Sequence, residues 1–172
     1  MSNFEIKRLS ECDWREYKSI RLESLQDSPD AFGSTYEREI SFSPEQWKSR
    51  LRIDPTFHHA LAIAAVENET FIGLLSSVIH ARDASNAHLY QMWVSPKYRG
   101  SGVGTALIDR VRTWALERNI VELELSVTTT NLDAISLYRS TGFTPTGIFE
   151  RLREGSNLQS QVMQLKLDSG DV

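Results

Sequence analysis

The sequence predicts an α/β (α+β) sandwich built on a mixed sheet, in a single domain covering 1–172. Three observations carry that prediction. Apolar patterns of period two and period 3.6 follow one another in the order β-α-α-β-β-β-α-β-α-β-β. A strand-helix-strand crossover stands around "VSPKYRGSGVGTALID", residues 94–109, and implies a parallel strand pair. The 172 residues hold 40% hydrophobic and 24% charged side chains without a Pro/Gly/Ser-rich divider, enough for one sizeable core and short for two.

"FEIKRL" (Phe4–Leu9) alternates as a half-buried strand does, and Ser10 is placed to cap a helix over Glu11–Gln26. Pro29 and Gly33 make Asp27–Thr35 a loop. "SPEQ" (Ser43–Gln46) supplies an N-cap, a proline in the first turn and a capping-box glutamine for a second helix reaching Arg52. "ALAIAAVE" and "TFIGLLSSVIH" flank the polar pair Asn68-Glu69 and read as an antiparallel hairpin. "LYQMWV" (Leu89–Val94) is the strand that feeds the glycine segment. From Val103, the residues Ala106, Leu107, Val111, Trp114 and Ala115 continue an apolar helix face to about Arg118. "VELELSV" (Val121–Val127) is a strand, Asn131–Ser140 a shorter helix closed by Gly142, and Thr144–Leu167 two strands around "EGSN".

Composition excludes several classes. No apolar run is long enough to span a bilayer, and the first residues lack a signal-peptide layout, which predicts a soluble, cytoplasmic chain. One cysteine, Cys12, excludes an internal disulfide framework and gives no reason to expect an acyl-cysteine intermediate. A net charge of −4 without a basic block speaks against nucleic acid and anionic membranes as partners. The four histidines show no metal-ligand spacing, so no metal is expected.

The glycine segment carries the functional signal. A strand that ends in closely spaced glycines and opens a helix leaves several backbone N–H groups unpaired, backed by the positive end of the helix dipole. Such a place binds an anion, and glycine lets phosphate oxygens reach the backbone. A Walker loop would need a lysine after its last glycine, where Thr105-Ala106 stand. A dinucleotide fingerprint would need its first glycine close behind the strand, where "SPKYR" intervenes. Tight helix-sheet packing is the purely structural alternative.

"YRGSGVGTALID" after a strand, followed one strand later by "NLDAISLYRSTGF" (Asn131–Phe143), resembles the GCN5-related N-acetyltransferase (GNAT) superfamily. The resemblance is close over Leu89–Phe143, and it implies a mostly antiparallel central sheet flanked by helices. It also implies acetyl-CoA as cosubstrate, its pyrophosphate bound by the loop Arg99, Gly100, Ser101, Gly102, Val103, Gly104 and Thr105. Val94 would offer a backbone N–H to the thioester carbonyl, and Asn131 would face the pantetheine arm while capping its helix. Tyr138 would be the general acid for the departing thiolate, a phenol near pKa ~10 being a suitable donor. Arg21–Glu37 resembles the helix and loop that shape the acceptor pocket in many bacterial members.

The implied reaction is direct transfer of acetyl to a primary amine of a small molecule or peptide in a ternary complex. Candidate bases are Glu124, His88 and Glu37, with an ordered water as an alternative. Glu122, Glu124 and Ser126 share one strand face, which looks either into a cleft or to solvent. Gln91 stands where some relatives carry an acid, and a glutamine cannot take a proton. A coenzyme-binding module without transfer activity and an unrelated phosphate-ligand enzyme are the rival readings, and a homodimer is left open.

Overall fold

The computed structural model describes residues 3–52 and 59–168. Among these residues seven strands form one sheet in the order β1-β2-β3-β4-β5-β7-β6. They are β1 (Glu5–Arg8), β2 (Ala60–Glu67), β3 (Thr70–Val78), β4 (Asn86–Val94), β5 (Glu122–Thr128), β6 (Thr144–Arg151) and β7 (Gln159–Lys166). Every neighbouring pair is antiparallel except β4 and β5. The helices are α1 (Trp14–Asp27), α2 (Tyr36–Ile40), α3 (Pro44–Ser49), α4 (Val103–Leu116) and α5 (Leu132–Ser140). The β2–β3 turn uses Asn68 and Glu69 at φ 48° and 63°, both in the left-handed region, matching the right-handed twist of the strands it joins.

Helices cover both faces because the central strands β2 and β3 carry apolar residues on both sides. One face packs Val103, Leu107, Val111 and Trp114 of α4 and Ile135 and Tyr138 of α5 against Ile63, Leu75 and Leu123. The other packs Tyr17, Ile20 and Leu25 of α1 and Trp47 of α3 against Ala64, Leu74 and Trp93. Among the described residues no helix is long and apolar enough to cross a membrane.

The observed order departs from the sequence prediction by one short helix. Tyr36–Ile40 has no apolar period, and the residue it buries is a glutamate, Glu39, at 1% exposure. Thr35 caps it by accepting from the Arg38 N–H at 3.3 Å. Smaller differences lie at ends, among them α3 stopping at Ser49 rather than Arg52. Residues 11–13 form a 3-10 turn ahead of α1, β4 begins at Asn86 rather than Leu89, and β3 stops at Val78.

Glu39 explains why α2 forms there. Its carboxylate takes two hydrogen bonds from buried Arg21, at 3.0 and 2.9 Å, and a third from Arg50 at 2.9 Å. The Arg21 guanidinium also lies over the Phe32 ring at 4.6 Å, so one ion cluster ties α1, α2, α3 and the loop after α1. Burial opposes ionisation of Glu39, but Arg21 and Arg50 outweigh it and hold its carboxyl below the ordinary glutamate value. The stabilisation is therefore complete above the unfolded-state value and lost as pH falls through the folded one. We expect Glu39→Gln to destabilise the chain at neutral pH, and the gap to wild type to shrink on acidification, in chemical unfolding at a series of pH values. A gap independent of pH would contradict the ion cluster.

Candidate functional site

β4 and β5 are paired over only three residues each, Asn86–His88 against Glu122–Glu124. Beyond the His88–Glu124 pair they part. The cause lies on the other edge of β4, where Trp93 opposes Leu74 and Tyr90 opposes Ser76, so that Gln91 and Met92 share Leu75. This is a β-bulge, and Gln91 sits at φ +60°. A non-glycine residue there is strained, and the Tyr17 hydroxyl, donating to Gln91 Oε1 at 2.9 Å from α1, helps hold it. The added twist turns the second half of β4 away from β5.

The parting opens a cleft of about 400 Å³ that passes through the sheet. Asn131 and Tyr138 line it from the α5 side, and Phe32, His88, Tyr90 and Glu124 from the α1 side. A smaller depression of about 190 Å³ on the α1 face shares Tyr90 and Gln91 with it. The loop after α1 is stapled over the opening. Thr128 Oγ1 donates to the Asp30 carbonyl at 2.6 Å, and Arg153 donates to the carbonyls of Pro29 and Phe32 at 3.0 and 2.9 Å.

Downstream of β4, Gly100 and Gly102 take φ values of +77° and +90°, which any side chain would strain. A Cβ at either would meet no protein atom within 4 Å, so the space in front of the loop is open. Gly102 caps α4, and among the described residues the amides of Gly102, Val103, Gly104 and Thr105 have no protein acceptor, whereas the Ala106 N–H returns to Gly102 at 3.0 Å. Gly104 differs: a Cβ there would come 2.8 Å from a Leu137 methyl and 3.3 Å from Met92. Its lack of a side chain therefore serves packing between α4, α5 and β4, and only its N–H faces outward with the others.

Arg99 does not reach freely over this loop. Its guanidinium donates to the Val94 carbonyl at 2.9 Å and to Asp27 at 2.5 Å. Asp27 also accepts from the Trp93 indole at 2.9 Å, so the last residue of α1 fastens β4 to the glycine loop. Burial works against the Asp27 carboxylate, but donors from Ser28, Trp93 and Arg99 keep it below the ordinary aspartate value. The Ser95 N–H bonds to Ile72 of β3 at 2.9 Å, so strand alternation turns the Val94 N–H the other way, into the fork where β5 offers no partner.

The remaining candidates fall into place around the cleft. Ser101 and Thr105 are exposed at the start of α4, and Val103 is fully buried, leaving its amide as its contribution. Asn131 caps α5 through Oδ1, which accepts from Ala134 at 3.3 Å, and its amide NH₂ remains for a ligand. Tyr138 is 6% exposed, edge-on to Phe143, and its hydroxyl has no protein partner among the described residues. Burial pushes its phenol above the ordinary tyrosine value, so it keeps its proton at neutral pH. Glu124 lies in the cleft, where Gln164 donates to it at 3.5 Å and His88 Nδ1 lies 3.4 Å from its Oε1. Glu37 is on the exposed side of α2 and does not line the cleft. Asp27 and Phe32 escaped the sequence reading, since a helix-end aspartate and a loop phenylalanine carry no motif.

The model of the acetyltransferase (GNAT) family matches residues 14–143, which includes the bulge, the glycine loop and α5. The chain belongs to the GNAT acetyltransferase family. It is 39% identical over 62 residues to a streptothricin acetyltransferase of Escherichia coli, a match covering 36% of each chain. Similar short matches join it to its other first curated relatives, so the likeness spans well under two thirds of their lengths. Among solved structures it is similar to yncA of Salmonella typhimurium with its cofactor acetyl-CoA, at TM-score 0.79 and 19% identity over 97% of this chain and 95% of that one. It is also similar to a paia N-acetyltransferase of Thermoplasma acidophilum in complex with coenzyme A, at TM-score 0.75 and 22% identity over 95% and 99%. At such identity these two speak for the GNAT fold alone.

The strain at Gln91 gives a stability test. Gln91→Gly and Gln91→Val both lose the Tyr17 hydrogen bond, but only valine must hold a β-branched side chain at positive φ. Gln91→Val is expected to unfold at lower denaturant than Gln91→Gly, by about 1–2 kcal/mol. Equal midpoints would mean that the bulge does not persist in solution.

Proposed function

We propose that this chain transfers an acetyl group from acetyl-CoA to a primary amine of a small molecule or peptide by direct attack within a ternary complex. The observation that carries the reading is the fork, with unpartnered amides at the start of α4 on one side and a carboxylate beside a histidine on the other. Bound acetyl-CoA supplies the acetyl group as a thioester. The open space before Gly100 and Gly102 and the amides of Gly102–Thr105 suit its diphosphate, and the Asn131 amide suits its pantetheine arm.

The Val94 N–H, free in the fork, is the donor we assign to the thioester carbonyl. As the amine nitrogen bonds to that carbon and the carbon–sulfur bond breaks, Tyr138 gives its proton to the departing sulfur. The acceptor arrives from the α1 face, past Phe32 and Tyr90. An alkylammonium of pKa ~10.4 costs roughly 4–5 kcal/mol to deprotonate at pH 7, so a base is needed, and Glu124 is our assignment. Retention of a cleft-lining tyrosine with a free hydroxyl weighs against a binding module that lacks transfer.

The direct test is coenzyme A release that depends on both acetyl-CoA and an added amine, with streptothricin and spermidine as first probes. Tyr138→Phe should lower kcat by about 10² while the rise in Tm caused by acetyl-CoA persists. Wild-type turnover in that variant would return the tyrosine to packing. Gly102→Val should abolish the rise in Tm, and a folded variant that still binds would refute the diphosphate assignment.

A further inference from the structure

Glu124 and His88 are the last cross-strand pair before β4 and β5 part, so the register itself sets them side by side at the mouth of the fork. His88 Nδ1 lies 3.4 Å from Glu124 Oε1, and His88 Nε2 lies 3.2 Å from Asp83 Oδ2. Asp83 is held in turn by the Asn86 amide, donating at 3.0 Å. Side-chain exposure is 26% at Glu124, 19% at His88 and 37% at Asp83, so the row runs from the cleft beneath the imidazole to the surface. The other titratable groups facing His88 are His80, two residues beyond β3, whose ring centre is 5.0 Å away, and Tyr90, whose hydroxyl meets His80 Nε2 at 2.9 Å. Glu122, opposite Lys166, lies one pleat along β5. Among the described residues no group of three or more His, Cys, Asp and Glu is placed to hold a metal ion.

We propose that His88, oriented by Asp83, is a proton carrier that takes the acceptor's proton from Glu124 and delivers it to solvent. The inference rests on the acetyl-transfer reading, in which Glu124 must be ionised again before each turnover. Phe32 of the loop after α1 lines the same cleft as Glu124, and with the acceptor in that cleft the row behind Glu124 gives its proton a separate route to solvent. With the neutral imidazole donating Nε2–H to Asp83, the Nδ1 lone pair faces Glu124. Glu124 gives its proton to Nδ1, the imidazolium forms between two carboxylates, and the Nε2 proton leaves to water at the exposed Asp83 end. Charge and protons balance: one proton leaves the ammonium and one enters solvent, Glu124 is again a carboxylate, and His88 is left neutral with its proton on Nδ1, so exchange with water returns it to the Nε2–H tautomer before the next turnover.

The experiment measures amine-dependent coenzyme A release by wild type, His88→Gln, His88→Ala and Asp83→Asn, using the amine that supports wild-type turnover. His88→Gln should lose about 10² in kcat with the KM for acetyl-CoA unchanged, and Asp83→Asn should lose less in the same direction. Added imidazole should restore part of the kcat of His88→Ala, which a structural role would not allow. Wild-type kcat in His88→Gln, or a loss that imidazole leaves untouched, overturns the proton-carrier assignment while acetyl transfer stands. A wild-type chain stabilised by acetyl-CoA that releases no coenzyme A with any amine overturns the transfer reading itself, and the carrier with it.

Discussion

The site depends on one constraint: β4 and β5 must pair at their start and stop pairing after His88 and Glu124. A parallel pair that continued would close the sheet and bury its hydrogen-bonding groups in a ladder. The bulge at Gln91 prevents this by spending two residues of β4 against one of β3, and the strand leaves its neighbour. The strain is local and the support around it is broad. Tyr17 holds Gln91 from α1, Asp27 holds Trp93 at the far end of the same strand and Arg99 in the loop beyond it, and Thr128 ties the covering loop to β5.

From that constraint follows a division of labour between the faces. α4 and α5 lie on one side, where unpartnered amides and Asn131 gather, and α1 and α3 on the other, where His88 and Glu124 stand. Tyr138 reaches the cleft from the first side and Glu124 from the second. A protonated phenol and a carboxylate on opposite faces of one opening suit the proposed reaction, in which a leaving group departs one way and a nucleophile arrives from the other.

How much of this the sequence announced varies by element. Gly100 and Gly102 were legible because positive φ before a helix leaves a spacing that few alternatives share, and Asn131 and Tyr138 because they sit at fixed offsets in a second motif. The β2–β3 hairpin was legible from Asn68-Glu69. Gly104 looked identical to its neighbours on paper, yet Leu137 and Met92 pack where its side chain would be. α2 was not legible, because its reason for existing is an ion cluster among Arg21, Glu39 and Arg50 that only the folded chain brings together. The bulge was not legible either, since Gln91 is a poor choice for positive φ and its partner Tyr17 lies 74 positions away. The pairing of His88 with Glu124 follows from the β4–β5 register, which no local pattern encodes.

The account claims above all that acetyl-CoA lies along the start of α4 and enters the fork beside β4. Amide hydrogen exchange with and without acetyl-CoA tests this residue by residue, with ATP as a control for diphosphate binding alone. The account predicts slowed exchange at Gly102–Thr105 and at Val94 with acetyl-CoA, and no slowing at Val94 with ATP. Unchanged exchange at both places, or protection confined to a surface away from the fork, would contradict it.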